Sequence, residues 1–208
     1  MKERPILFNA PMVRALLAGT KTQTRRVVKP EGAHNLFQFR GTTAAAGADE
    51  PTGEWGWCGS EQVVNKHIHC PYGKPGDRLW VRETFRGCRA YEVQGYAPKD
   101  WGNKPIWFEA DGTPPGRPEQ WALRSRPSIH MPRWASRITL EITSVRVERL
   151  QDISRGDAMA EGCPFPNLAQ GDDPRRWYAQ LWDEINGEGS VEANPWVWAV
   201  EFRSTHPC

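Results

Sequence analysis

The sequence predicts an α+β fold: a small mixed β-barrel flanked by two or three helices and interrupted by two long insertions. Three observations predict it. From Arg137 to Arg149 the chain alternates, with Ile138, Leu140 and Ile142 set against Arg137, Thr139, Glu141 and Thr143. A strand of this length, with a phase shift at Ser144, must curve, and a small barrel needs such a strand. Helical stretches stand at Pro11–Ala18, Ser154–Glu161 and Asp173–Ile185. Residues 31–70 lack clean periodicity and, like residues 86–127, read as an insertion.

In chain order, Pro5–Phe8 reads as a short opening strand. The first helix has Asn9 as N-cap, Pro11 in its first turn and Gly19 as the residue that ends it. Residues 22–28 then turn β-branched and charged and form a strand stopped by Pro30. On it Thr22, Thr24 and Arg26 share one face. Lys21 stands at the helix-to-strand turn. An ammonium, a hydroxyl and a guanidinium so close together suit an anion, a polarised carbonyl or a nucleic-acid phosphate, although such residues on an exposed strand are usually a solvated face.

The breakers Gly73–Lys74–Pro75–Gly76 lead into a strand over Arg78–Phe85. There Leu79, Val81 and Glu83 alternate with Trp80, Arg82 and Thr84. Within the second insertion Tyr91–Val93 and Ile106–Phe108 read as strands, and Glu119–Arg124 as one helical turn. The helix over Ser154–Glu161 is capped by Asp152 or Ser154. In the next helix Trp177, Leu181 and Ile185 form the buried stripe. Trp196–Phe202 is the closing strand. No internal repeat and no linker divides the chain, so residues 1–208 are expected to form a single domain.

Composition bounds the function. Lys and Arg total 27 against 25 for Asp and Glu, a net charge of +2, which excludes the strong basic field of a non-specific duplex binder. Any basic site is therefore local. Eleven Trp supply large contact areas for the core and, where exposed, faces for stacking on bases. No run is apolar enough to span a membrane, and the opening Met1–Lys2–Glu3–Arg4–Pro5 has no signal-peptide core, so a cytoplasmic setting with reduced thiols is expected. Five Cys leave an odd thiol. Cys58, His67, His69 and Cys70, with Cys88 nearby, lack the tight C-x-x-C hairpin of zinc sites, and no metal and no cofactor is expected.

Several of these stretches together resemble a known family. Gly19-x-Lys21-x-x-Thr24-x-Arg26 after a short helix is similar to the signature of the ASCH superfamily. The later segments Pro75–Thr84, Ile138–Val147, Asp157–Gly162 and Trp196–Phe202 follow in the order of that family. The likeness is greatest to ASCH proteins common in phages and prophages. It covers most of the chain outside the two insertions. The resemblance implies a PUA-like mixed β-barrel and a partner that is a modified nucleoside or single-stranded RNA. One branch of the superfamily hydrolyses N4-acetylcytidine with Lys, Thr and Glu. By resemblance these roles fall on Lys21, Thr24 and Glu161. That branch is much shorter, and the insertions here bear on the shape of its pocket.

The chemistry is coherent. A Thr hydroxyl becomes a nucleophile once a neighbouring base takes its proton, and a Lys among cations such as Arg26 can be that base. Glu161 ends its helix where the dipole gives an acid no support, a sign that it serves something else. Arg26, Arg82, Glu83, Arg133 and Trp134 are candidate substrate contacts: Trp134 or Phe85 to stack on a base, Glu83 to accept from an exocyclic amine. The expectation is a monomeric amidohydrolase acting on an acylated cytidine or related nucleoside. The alternatives are a non-catalytic RNA or modified-base binder, and a ribonuclease, which ranks last because no His pair is evident.

Overall fold

The computed structural model describes residues 1–29, 35–40, 51–58, 64–101, 105–114, 116–117, 120–121, 124–164 and 173–205. A mixed five-stranded sheet has the order β1 (Glu3–Leu7), β6 (Arg78–Arg82), β9 (Thr139–Arg149), β10 (Trp196–Ser204), β2 (Gln23–Val27). β1 and β6 run parallel; β6 with β9, and β10 with β2, run antiparallel. The fold is thus α+β, but the sheet is open, with β1 and β2 as its edges, where the sequence predicted a closed barrel. The chain leaves β1 through a helix rather than a hairpin, so nothing local pairs these two strands.

The chain divides into two compact units: Met1–Lys21, Asp77–Glu141 and Arg203–Cys208 in the first, Thr22–Gly76 and Ile142–Phe202 in the second. In the first unit, α1 (Ala10–Leu17) forms as its caps dictate. The Asn9 side chain accepts from the Met12 N–H, and Gly19 takes φ +71° just beyond the C-cap. The helix rests on the turn Glu109–Asp111, and Arg14 reaches the Ala110 carbonyl. β6 lies between two strands, so Leu79, Trp80 and Val81 are all buried and the expected two-faced alternation is lost. A two-stranded ribbon, β7 (Phe85–Gly87) with β8 (Ile106–Phe108), carries an aromatic core of Phe85, Trp101 and Phe108 with Met131 and Ala135. Arg89–Val93 is a short helix, α2, rather than the expected strand over Tyr91–Val93, since Ala and Glu favour a helical turn over an unpaired strand. Of the turn expected over Glu119–Arg124, residues 119, 122 and 123 lie outside the described residues, and Trp121 pairs with Cys88 as an isolated bridge.

In the second unit, the stretch read as an irregular insertion contains an antiparallel three-stranded sheet. Its strands are β3 (Asn35–Arg40), β4 (Pro51–Cys58) and β5 (Val64–Ile68). Gly53 and Gly56 interrupt β4, and register shifts break its pairing with both neighbours, which is why no clean alternation shows. α3 (Arg155–Ala160) begins at Ser154 with a capping box to Asp157. α4 (Pro174–Asn186) buries Tyr178 and Trp182 against Leu150, Ile153, Ala158 and Val197. Its buried stripe is thus turned by one residue from the expected Trp177, Leu181 and Ile185, and Ile185 is exposed. The two aromatic side chains outweigh the aliphatic ones in area.

Gly87 tests the packing of the first unit. A Cβ added there would lie 2.2 Å from the ring of buried Trp101. Gly87→Ala is expected to cost about 1–3 kcal/mol through displacement of that ring. Urea unfolding checks this; an unchanged midpoint would show that the contact is slack.

Candidate active site

β2 is anchored at both ends within the second unit. The Thr22 N–H donates to the Ala160 carbonyl at the end of α3 (2.8 Å), and the Phe202 N–H donates to the Thr22 carbonyl (2.9 Å). At the far end Val28 N–H reaches the Trp196 carbonyl (2.8 Å). Alternation then sends Gln23 and Arg25 to one face and Thr24 and Arg26 to the other.

Arg25 is buried among carboxylates. Its Nε donates to Glu148 Oε1 (2.7 Å), its Nη1 to Glu161 Oε1 (3.2 Å), and its Nη2 lies 3.5 Å from Asp157 Oδ2. The Tyr178 ring stands 5.9 Å away. A second guanidinium, Arg146, binds Glu148 (2.9 Å), Asp157 (2.6 Å), Gln23 (3.3 Å) and Glu201. Burial works to raise the Asp157 carboxyl, but the hydrogen bond from Ser154 and the charges of Arg146 and Arg25 outweigh it and hold it at about 2. Burial, with the nearby Glu161 charge, pushes the Tyr178 phenol well above its usual value.

On the opposite face, Arg26 Nη1 donates to Thr24 Oγ1 (2.8 Å) and to the Arg25 carbonyl (3.0 Å). Thr24 is fully buried. The Tyr72 phenol is half-buried, and its affinity for its proton is raised by burial and lowered by the charge of Arg26. A hydroxyl oxygen that already accepts from a guanidinium is prepared to carry negative charge.

The first unit holds the other candidates. Lys21 is 2% exposed, and its Nζ lies 5.6 Å over the Phe8 ring. Its backbone N–H donates to the Ala15 carbonyl, which fixes the turn after α1. Glu83, only 1% exposed, is gripped by both nitrogens of the Arg137 fork at 2.9 Å, and Arg137 also binds Asp111. Burial pushes the Glu83 carboxyl up while Arg137 opposes it. Glu83 is therefore the anchor of Arg137 rather than an open acceptor. Arg82 and Arg133 both lie over the Trp80 ring, at 4.7 and 5.9 Å, with Arg82 Nε on the Met131 carbonyl and Arg133 paired to Glu3. Trp134 packs beside the Phe85–Trp101 core.

The structure joins Thr24 to Arg26, Glu161 to Arg25, and Arg82 to Arg133 through Trp80. Glu161 does have a stabilising partner, contrary to the argument from its helix end: Arg25, far away in sequence. Arg25, Arg137 and Arg146 were missed. Strand alternation alone would have sent Arg25 to the face opposite Thr24. Of the thiol and imidazole cluster, Cys70 is buried and His69 is exposed; the side chains of Cys58 and His67 lie outside the described residues. No described helix is long and apolar enough to cross a membrane. Comparison with family models, with curated proteins and with solved structures finds no match.

The Asp157 carboxyl gives a pH test. Its folded value is depressed, so its contribution to stability is present above the ordinary 3.8 and is lost as pH falls toward about 2. The stability difference between wild type and Asp157→Asn, read from urea midpoints, should be constant above about pH 5 and shrink steadily below it. A difference that does not change with pH would show that Asp157 acts only as a helix cap.

Proposed function

We propose that the chain is a PUA-like member of the ASCH superfamily and a cytoplasmic amidohydrolase that removes the acyl group from an N4-acylated cytidine or a related modified nucleoside. The observation that carries the reading is the burial of Lys21, Thr24 and Glu161, at 2%, 0% and 3% exposure. Burying an ammonium, a hydroxyl and a carboxylate is costly, and proteins accept that cost where the groups have work to do. All three fall on the positions that the resemblance assigns to catalysis. Chain connectivity adds support. Lys21 is three residues from Thr24, within about 11 Å even if extended. Glu161 follows Ala160, whose carbonyl holds the Thr22 N–H.

In this reading Thr24 Oγ1 attacks the acyl carbonyl and gives its proton to the Lys21 amine. Arg26, already on that oxygen, steadies the charge while the proton leaves. The C–N bond breaks, and the cytosine amine departs with a proton relayed from Lys21, leaving the acyl group as an ester on Thr24. Water then attacks that ester, giving the free carboxylate and restoring the Thr24 hydroxyl. Glu161, held by Arg25, shuttles the proton or holds Lys21. Arg82, Arg133 and Trp134 serve as contacts for the nucleoside or for an RNA strand that carries it, and Glu83 acts through Arg137.

Hydrolysis of N4-acetylcytidine and its equilibrium binding test the reading together. Thr24→Ala should abolish turnover while affinity changes by only about 0.5–1.5 kcal/mol, the net worth of one hydroxyl contact. Thr24→Ser should retain part of the activity because the oxygen stays. Lys21→Arg should lose about 10²–10⁴ in rate, since a guanidinium does not give up its proton near neutral pH. Turnover by Lys21→Arg near the wild-type rate would leave the binding module as the better reading.

A further inference from the structure

We infer that the first unit binds the backbone of a single-stranded nucleic acid through an arginine face on β6, so that the acylated cytidine of the proposed reaction is one residue of a strand rather than a free nucleoside. The place of the cytidine in a strand rests on the amidohydrolase reading; the strand binding does not. Charge divides unequally between the two units. The chain as a whole is nearly neutral, but the first unit holds sixteen Lys and Arg against nine Asp and Glu, and the second holds eleven against sixteen. The basic field that the total conceals therefore belongs to the first unit. Twelve of its sixteen cations are arginines, whose planar forks match phosphate oxygens in a way an ammonium does not.

Within the first unit the excess has a local form. Alternation sets Arg78, Trp80 and Arg82 on one face of β6, with Glu3 of β1 and Glu141 of β9 opposite Arg78. The Trp80 indole is buried, with the guanidinium of Arg82 over it at 4.7 Å and that of Arg133 at 5.9 Å. Both carboxylates of this face are already engaged: Glu3 holds Arg133 (3.0 Å) and Glu141 holds Arg203 (3.0 Å). Arg82 has no carboxylate partner among the described residues; its Nε donates to the Met131 carbonyl (3.0 Å), which leaves its two terminal nitrogens to donate to a ligand. Arg78 forms no ion pair among the described residues, acts on Glu3 only through space, and its Nε is buried with no hydrogen-bond partner. The second unit shows the contrast, since its buried Arg25 and half-buried Arg146 both meet carboxylates. A half-buried guanidinium without a counter-charge is costly, and a bound anion offsets that cost. Guanidinium planes also stack on unpaired bases, so the face offers a strand both of its usual contacts. With Trp80 buried, it offers a membrane charge but no aromatic anchor.

Fluorescence anisotropy with a labelled single-stranded RNA of about a dozen nucleotides, carrying one N4-acetylcytidine, tests the binding without turnover. Wild type should bind it, and the affinity should fall about tenfold between about 50 and 200 mM salt. Arg82→Gln should weaken binding about tenfold at low salt and reduce the salt slope by about one. Arg82→Lys keeps the charge but loses the fork, and should recover only part of the affinity. If Arg82→Gln is misfolded by circular dichroism, Arg133→Gln takes its place, since that side chain is exposed and should weaken binding in the same direction. Arg176→Gln removes an exposed arginine of the second unit and should change Kd by less than about twofold. Equal losses in Arg82→Gln and Arg176→Gln would overturn the inference, as would tighter binding to phosphatidylserine vesicles than to the RNA. In turnover, kcat/KM for the acetylated strand should exceed that for free N4-acetylcytidine by about tenfold at low salt and approach it at high salt. Hydrolysis of the free nucleoside without strand binding would overturn the inference and leave the amidohydrolase reading standing. Strand binding without hydrolysis of either substrate would do the reverse.

Discussion

The second unit depends on one buried guanidinium. Arg25 has no solvent to shield it, and an isolated charge in such a place would cost several kcal/mol. Carboxylates from three places answer it: Glu148 on β9, Asp157 within α3 and Glu161 at the end of α3. The pairing therefore does more than neutralise a charge. It decides how α3 lies against β2 and where the last residue of that helix stands. Buried ion pairs add little net stability compared with a well-packed apolar core, but removal of one partner leaves the others stranded, at about 3–5 kcal/mol. The geometry is thus enforced by the cost of every alternative.

That constraint reaches the candidate nucleophile through strand alternation. A slip of β2 by one residue would exchange the two faces. It would place the Arg25 guanidinium where Thr24 is buried, away from its carboxylates. The charged face of β2 thereby fixes the register in which Thr24 and Arg26 are presented. Pairing with β10, with Thr24 opposite Val200 and Arg26 opposite Trp198, supports the same register but is less selective, since backbone hydrogen bonds are nearly the same in any register.

What was legible in the sequence was local. Asn9, Pro11 and Gly19 specify the ends of α1, Ser154 and Asp157 specify the start of α3, and the alternation from Ile138 onward specifies β9. Each signal acts over a few residues. The openness of the sheet was not legible, because closure depends on pairings between strands far apart in sequence. Nor was β4 legible, where glycines and register shifts hide the period. The candidate site shows the same division. Lys21, Thr24 and Arg26 were visible as a spaced motif, and Glu161 through its place at a helix end. The partners that fix their surroundings were not: Arg25 looked like one more basic strand residue, and Arg137 like the polar side of an alternation. Their roles arise from contacts across 123 and 54 positions, beyond any local pattern.

Arg25 and Arg26 are adjacent and chemically identical, and strand alternation turns them to opposite faces of β2. Arg25 is surrounded by carboxylates and has little field left to exert on a neighbour. Arg26 donates to a threonine hydroxyl and a backbone carbonyl. For the proposed reaction a guanidinium suits that position. A lysine there could give its proton to a forming alkoxide and quench it, whereas arginine holds its protons and can only stabilise the anion. In the proposed reaction the two cations would divide the labour: Arg26 would make the alkoxide tolerable and Lys21 would remove the proton.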